Sequence, residues 1–299
     1  MAACPETRTT DEHSRRMPTA MAASSKAQFL TEVHALLKKR YKLEARAERP
    51  SILEAIIYGI CHEGVAREQA NQALSRFKDD FFDWNEVRVS SIEEIQGALA
   101  DLPDPEGRAQ HVRRFLRQLF EKTYGFNLDA LAKKPQKEAA KALEEYEATS
   151  SDYVMATVVQ QSLAGHAIPV DAPIRRGLAR LGVAEPDADF ATLRGTLERA
   201  VPKNRGHEFA DLMEELTHDT CVEGPPDCPR CELRKICPTA PLRLAELKLA
   251  AKAVPAPIAP TAPGKAPKEK PATAPARASE PPPVAKPAAP AKGKAPRPK

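Results

Sequence analysis

The recurrence of apolar residues every three to four positions is the feature that most constrains the fold of this chain. It is clearest at residues 106–124, where the spacing predicts an amphipathic helix ended by Gly125. Other segments with such stripes are 27–40, 51–60, 151–164, 172–181 and 205–218. No run of strand length alternates apolar and polar residues, and only 13 of 299 residues are glycine. The sequence therefore predicts an all-α fold.

The two ends of the chain differ in composition from its middle. Residues 1–25 are rich in Ala, Ser, Thr and charged residues, and residues 251–299 hold 14 of the 29 prolines. Such segments bury too little apolar area to offset their chain entropy, so we expect both ends to be disordered. The tail carries ten Lys/Arg and two Glu, a net charge of +8, which leaves −4 for the rest of a chain whose total is +4. The tail either solubilises the protein or tethers it non-specifically to nucleic acid.

The chain shows no sign of a membrane or export signal. No stretch approaches 18 consecutive apolar residues, and the N-terminus has no apolar core of a signal peptide. We therefore expect a cytoplasmic protein without a membrane span.

Four of the six cysteines lie in one short run. Cys221, Cys228, Cys231 and Cys237 read C-x6-C-x2-C-x5-C, so four thiolates within 17 residues can converge on one centre. Without a secretion signal, this favours metal over disulfides. Four thiolates suit a tetrahedral zinc ion or an iron–sulfur cluster. The single C-x2-C pair with long, unequal flanking gaps favours the cluster and leaves zinc as the alternative.

This spacing resembles the [4Fe–4S] loop of the endonuclease III-like DNA glycosylases, of the helix–hairpin–helix class. The run follows the segment HEFADLMEELTHDTC, and about fifty residues upstream VDAP precedes IRRGLARLG, as in the family's segment with its active-site aspartate. The resemblance covers roughly residues 27–240. It implies a two-lobed α fold, with a cluster lobe at about 26–48 and 165–240 and a six-helix barrel lobe at about 49–164. A short helix and the tail would occupy 241–299.

The resemblance also implies a function: a monomeric, nucleoid-associated base-excision enzyme that binds double-stranded DNA between the lobes. Asp171 would then stabilise the positive charge that develops on the sugar as the base leaves, or activate the attacking water. The same residue has a plain structural role, because an aspartate just before a helix with Pro173 in its first turn is an ordinary N-cap.

The hairpin expected about 18 residues before that aspartate departs from the family pattern. Residues 147–155 read EATSSDYVM and lack the two glycines that let backbone N–H groups approach a DNA phosphate. Ser150 or Ser151 can cap the next helix and donate a hydrogen bond instead. Tyr153 stands where bifunctional members carry a lysine, and a phenol cannot form a Schiff base. This implies a monofunctional glycosylase without efficient AP-lyase activity, unless Tyr153 is only a packed helix residue.

The loop between the first two cluster cysteines is a second departure. The family usually has basic residues there, whereas Val222–Asp227 holds two acids and no base. The candidate DNA contacts are therefore the basic residues nearby, which as ordinary solvated charges need no function: Arg175, Arg176, Arg230, Arg234 and Lys235. Tyr58, His62 and Glu63 are candidates for a base pocket, whereas Trp84 and Cys61 are expected in the core.

Three functions remain open from the sequence. The first is a DNA glycosylase that uses Asp171. The second is a non-catalytic, DNA-binding or redox-structural relative that keeps the fold and the cluster, which the missing glycines and lysine favour. The third is a helical zinc protein of unrelated function.

Overall fold

A computed structural model describes residues 23–43 and 48–253, with the backbone alone for residues 23, 24 and 251–253. The predicted disorder of residues 1–25 and 251–299 lies outside these residues except at 23–25 and 251–253, where the prediction is wrong because α1 begins at Ala23 and α13 ends at Ala253. Within them, thirteen α-helices and no strand are present, which confirms the predicted all-α class. The helices are α1 (Ala23–Arg40), α2 (Ile52–His62), α3 (Arg67–Asp80), α4 (Trp84–Val89), α5 (Ile92–Ala98), α6 (Pro105–Thr123), α7 (Asp129–Ala132), α8 (Gln136–Leu143), α9 (Asp152–Gln161), α10 (Ala172–Arg180), α11 (Phe190–Ala200), α12 (Gly206–Asp219) and α13 (Ala240–Ala253).

Local sequence explains where individual helices begin and end. Ser51 begins α2 with a capping box, in which its side chain accepts a hydrogen bond from the N–H of Glu54 while the Glu54 carboxylate accepts one from the N–H of Ser51. The helix predicted over 106–124 ends at Thr123, because Tyr124 takes a left-handed backbone conformation with φ of 52°.

The buried apolar side chains form two large clusters, one from α2–α9 and one from α1 and α10–α12 together with the cysteine-rich segment. Each buried aliphatic or aromatic side chain stabilises its cluster by about 1.5–3 kcal/mol. The first cluster includes Ile56, Val87, Phe115, Leu119 and Val158, and the second includes Leu37, Leu178, Leu197, Phe209 and Leu216. Trp84 packs against the first cluster and Cys61 is fully buried within it. No helix in the part of the chain described here is long and apolar enough to cross a membrane.

Candidate active site and cysteine cavity

Asp171 lies between the two clusters and is 5% exposed. Its Oδ1 accepts a hydrogen bond of 3.0 Å from the N–H of Ile174, so it caps α10 as predicted. Its Oδ2 accepts one of 3.1 Å from the N–H of Gly64, just beyond α2. Gly64 has φ of 74°, a left-handed conformation that glycine adopts without strain. Burial raises the pKa of Asp171, against the two backbone N–H groups that favour its charged form.

A second carboxylate, Glu63, precedes Gly64 in the chain. Its Oε2 accepts a hydrogen bond of 3.0 Å from the hydroxyl of Ser151, which begins α9. Burial first, and then the negative charge of Asp171, raises the pKa of Glu63, while the Ser151 hydroxyl, Arg108 and His111 oppose this. The site thus holds two carboxyl groups whose protonated forms are both favoured by burial.

A buried polar chain crosses between the two clusters beside Asp171. The Tyr153 hydroxyl lies 2.8 Å from Nδ1 of His62, and Nε2 of His62 lies 2.9 Å from Oε1 of Glu214 on α12. A proton on Nε2 of His62 can be donated to the Glu214 carboxylate. Arg67 extends the chain, with 2.7 Å to Oε2 of Glu214 and 2.8 Å to Oδ1 of Asp211. Burial of the hydroxyl holds the pKa of Tyr153 well above its usual value.

The pKa of the Glu214 carboxyl is shifted in the opposite direction to that of Asp171. Burial opposes its ionisation, but the hydrogen bonds and charges of His62 and Arg67 outweigh burial, so the pKa of Glu214 lies below its usual range. The carboxylate is therefore held charged, and it ties α2 and α3 of the first cluster to α12 of the second.

The turn between α8 and α9 occupies the position of the expected hairpin and contains no glycine. Residues Glu147–Ser150 form a short 3-10 helix, a right-handed conformation that any residue adopts, so the turn does not require positive φ. The Thr149 hydroxyl fastens it by donating to the carbonyl oxygens of Leu143 and Tyr146. Ser150 is exposed, whereas Ser151 caps α9.

The four clustered cysteines line a single cavity, whose empty space is about 390 Å³. None of the described cysteines forms a disulfide. Burial first, and then the charges of the other three thiols, raises the pKa of Cys228. Four thiols at one cavity are the donor set that an iron–sulfur cluster or a zinc ion takes. As the side chains are placed, however, no group of three or more His, Cys, Asp or Glu among residues 23–43 and 48–253 is arranged to hold a metal ion.

Arg180, at the end of α10, fixes the start of the cysteine loop. Its guanidinium donates to the carbonyl oxygens of Cys221, Val222 and Gly224 at 3.1, 2.7 and 2.8 Å, and Nη1 lies 3.5 Å from Sγ of Cys221. The carbonyl oxygen of Arg180 also accepts hydrogen bonds from Cys237 and from the Thr239 hydroxyl. The helix that Asp171 begins is thus the helix that holds the cysteine loop at its other end.

The predicted DNA contacts fall into two groups. Arg175 and Arg176 are half-buried: the first lies over the Phe190 ring at 4.4 Å, and the second donates to the carbonyl oxygens of Thr217 and Cys221. The exposed residues lie on the cysteine loop, and they are Arg230, Arg234 and Lys235.

Sequence reasoning missed the roles of Arg67, Glu214 and Arg180. Arg67 and Glu214 are 147 positions apart, and no local pattern marks their pairing. Arg180 follows Asp171 on one helix, and only the fold shows that it faces the cysteine loop.

Comparisons with known proteins show a similarity of fold. No protein-family model and no curated protein matches the chain. A structure of endonuclease III trapped as a covalent intermediate with DNA has a TM-score of 0.59 at 17% identity, and the match covers 75% of this chain and 99% of that one. A non-covalent endonuclease III–DNA complex gives 0.60 at 17%, covering 73% and 98%. A thermostable thymine-DNA glycosylase gives 0.54 at 16%, covering 74% and 100%. The resemblance inferred from the cysteine spacing is confirmed at the level of the fold.

Proposed function

We propose that this chain, which has the endonuclease III-like fold of the helix–hairpin–helix DNA glycosylases, removes damaged or mismatched bases from double-stranded DNA. The observation that carries the proposal is the position of Asp171. Its carboxylate lies buried at the start of α10, between the two clusters, and accepts a hydrogen bond from Gly64 just beyond α2. This is where a carboxylate can act on a nucleotide held between the two halves of the fold.

The chemistry follows from that position. As the bond between the base and the sugar breaks, positive charge develops on the sugar ring, and a nearby carboxylate stabilises it. The same carboxylate can accept a proton from the attacking water. The hydrogen bonds from Gly64 and Ile174 fix its orientation before the substrate arrives. A protein acting on chromosomal DNA in this way would be a cytoplasmic, nucleoid-associated monomer.

The expected product is an intact strand with an abasic site. Lyase chemistry by this family's route needs an amine that forms a Schiff base with the sugar, and Tyr153 supplies a phenol at that position. Its hydroxyl is hydrogen-bonded to His62, which supports a role in holding the site rather than in attacking the sugar.

The cofactor proposed for the cysteine cavity is a [4Fe–4S] cluster, with zinc as the alternative. Cys221, Cys228, Cys231 and Cys237 would be its ligands, and the cluster, when bound, would cross-link the segment after α12. Arg180 connects this segment to α10 and thereby to Asp171. A structural cluster would therefore stabilise the helix whose first turn holds the carboxylate.

DNA contact is proposed for the exposed residues Ser150, Arg230, Arg234 and Lys235. Ser151, Arg175 and Arg176 would act more indirectly, because they are half-buried, whereas Arg230 and Arg234 are exposed even though they contact Asp227 and the Pro229 carbonyl oxygen.

The test is a single-turnover assay with iron-replete protein on duplexes that carry different lesions and mismatches. Each reaction is split, and one half is treated with alkali to cleave abasic sites. Strand breaks that appear only after alkali would support a monofunctional glycosylase. Breaks without alkali would contradict the assignment of Tyr153, and no release of any base would contradict the function.

A catalytically inactive, DNA-binding relative is the second candidate. The observation that favours it is that both oxygens of Asp171 already accept backbone hydrogen bonds and that the residue is buried. Binding to duplex DNA without release of any base, from protein whose metal site is full, would support this alternative.

A further inference from the structure

A cavity lies beside the α8–α9 turn, at the end of α2. Its empty space is about 680 Å³, and its lining combines apolar surface with seven polar or charged side chains among eleven residues. Three of its lining residues carry carboxyl groups, namely Glu63, Asp104 and Glu147. Two are basic, Arg108 and His111, and two carry hydroxyls, Ser150 and Ser151. A cavity with this mixture of donors and acceptors suits a flat, polar, heteroaromatic ligand such as a nucleobase.

Glu63 is held in place at this cavity from two sides. The guanidinium of Arg108 donates to its carbonyl oxygen at 2.7 Å and also to the carbonyl oxygen of Ile60, which fixes the end of α2. The Ser151 hydroxyl binds Oε2 at 3.0 Å, and no hydrogen bond to Oε1 is present among the described residues. One carboxyl oxygen is thus anchored, and the other is available to a ligand.

Glu63 and Asp171 are separated by the Gly64 backbone and have different surroundings. Asp171 is 5% exposed and accepts two backbone N–H hydrogen bonds, which favour a carboxylate. Glu63 borders an open cavity and has one hydroxyl partner. Two neighbouring carboxyl groups in unequal environments are the arrangement in which one serves as an acid and the other as a base.

We propose that Glu63 is the general acid of the reaction and that the cavity it borders holds the departing base. This rests on the proposed function. In the step, the C1′–N bond breaks and its electron pair passes to the base, which takes the proton from the Glu63 carboxyl. A water oxygen bonds to C1′, and the proton of that water goes to Asp171. Proton exchange with solvent then restores both groups.

The surroundings of Glu63 favour its protonated form more than water does. Burial and the charge of Asp171 raise its pKa, and Ser151, Arg108 and His111 oppose the rise. Asp104 and Glu147, which line the same cavity, are also acidic. The rate should therefore fall at high pH as Glu63 loses its proton, and at low pH as Asp171 gains one, giving a bell-shaped profile.

The experiment compares wild type, Glu63→Gln and the control Glu246→Gln on the duplex that wild type processes fastest. Glu246 is an exposed carboxylate of α13, paired with Arg243, and it does not line the cavity. We expect Glu63→Gln to lower the single-turnover rate by about 10²–10⁴-fold and to remove the decline at high pH, because an amide does not donate its proton in this way. Glu246→Gln should keep the wild-type rate and pH profile. Binding of a duplex with a stable abasic analogue should be equal for all three proteins.

A second comparison separates general acid catalysis from a structural defect. Bases that leave readily as anions need less protonation. The rate loss caused by Glu63→Gln should therefore be smaller on a 5-fluorouracil substrate than on a uracil substrate, if both are processed. An active wild type with equal rates and pH profiles in Glu63→Gln and Glu246→Gln would overturn the role of Glu63 and leave the glycosylase function standing. Absence of base release by wild type would overturn both.

Discussion

Replacing Glu214 should reveal how strongly the two halves of the fold are joined. The carboxylate is 9% exposed and carries hydrogen bonds from His62 and Arg67 at 2.9 and 2.7 Å. Glu214→Leu would leave the His62 N–H without a partner and remove one of the two carboxylates that neutralise Arg67. Breaking a buried pair in this way costs about 3–5 kcal/mol of unfolding free energy.

Glu214→Gln is the milder change. Its amide oxygen still accepts from His62, and Arg67 keeps Asp211 at 2.8 Å. The hydrogen bond from His62 is kept, but its acceptor is no longer charged, so the unfolding free energy should fall by about 1.5–3 kcal/mol. In a urea titration this lowers the midpoint by about 1 M.

Glu215 provides the matched control on the same helix. Burial and the charge of Glu214 raise the pKa of Glu215, so its charged form is disfavoured in the folded protein. Glu215→Gln should change the unfolding free energy by at most about 0.5 kcal/mol or raise it. Equal losses from Glu214→Leu and Glu215→Gln would refute the reasoning.

The pH dependence gives an independent check on the same pair. The pKa of Glu214 lies below its ordinary value of 4.5, so the stability from its ionisation is present above that pH and is lost as the pH falls through the folded-state pKa. The difference in unfolding free energy between wild type and Glu214→Gln should therefore be largest near neutral pH and should become smaller below about pH 4.5. A difference that stays constant at acidic pH would contradict a Glu214 carboxylate that is held charged in the folded protein.

Three further variants test other parts of the molecule. Cys228→Ser should lose most bound iron and sulfide in elemental analysis, whereas Cys61→Ala, in the first apolar cluster, should keep them; equal contents would contradict the ligand assignment. Arg180→Ala should lower the unfolding free energy by about 2 kcal/mol, because it frees carbonyl oxygens of the cysteine loop, and unchanged stability in urea would contradict that contact. Tyr153→Phe should cost about 1–3 kcal/mol through the lost bond to His62, without creating strand breaks independent of alkali.

Periodicity accounts for much of the fold. The stripes predict α1, α2, α6, α9, α10 and α12, because each places a continuous apolar face against one of the two clusters. Some helices that it does not reveal, such as α4 and α7, are too short, at six and four residues, to show a period, and α4 begins at the cap Asp83. The longer helices α3 and α11 are also missed, and each buries only two or three apolar side chains.

The candidate site is predicted from the sequence only in part. Asp171 and the cysteines have local signatures, a cap before proline and a fixed spacing. The pairing of His62 with Glu214 spans 152 positions and that of Glu63 with Ser151 spans 88, so the fold alone brings them together. The missing hairpin glycines also look more disruptive in sequence than in structure, because the turn is right-handed and is fastened by Thr149.

The most direct test of the central claim compares Asp171→Asn with Asp189→Asn in the single-turnover assay. Both residues cap helices in the same way, with side chains that accept from Ile174 and Thr192, and asparagine caps about as well as aspartate. The exchange therefore removes charge while keeping each cap, although in Asp171→Asn an amide nitrogen also replaces the oxygen that accepts from Gly64. We predict that Asp171→Asn abolishes alkali-revealed base release and that Asp189→Asn retains it. Equal base release by the two variants would contradict a catalytic Asp171.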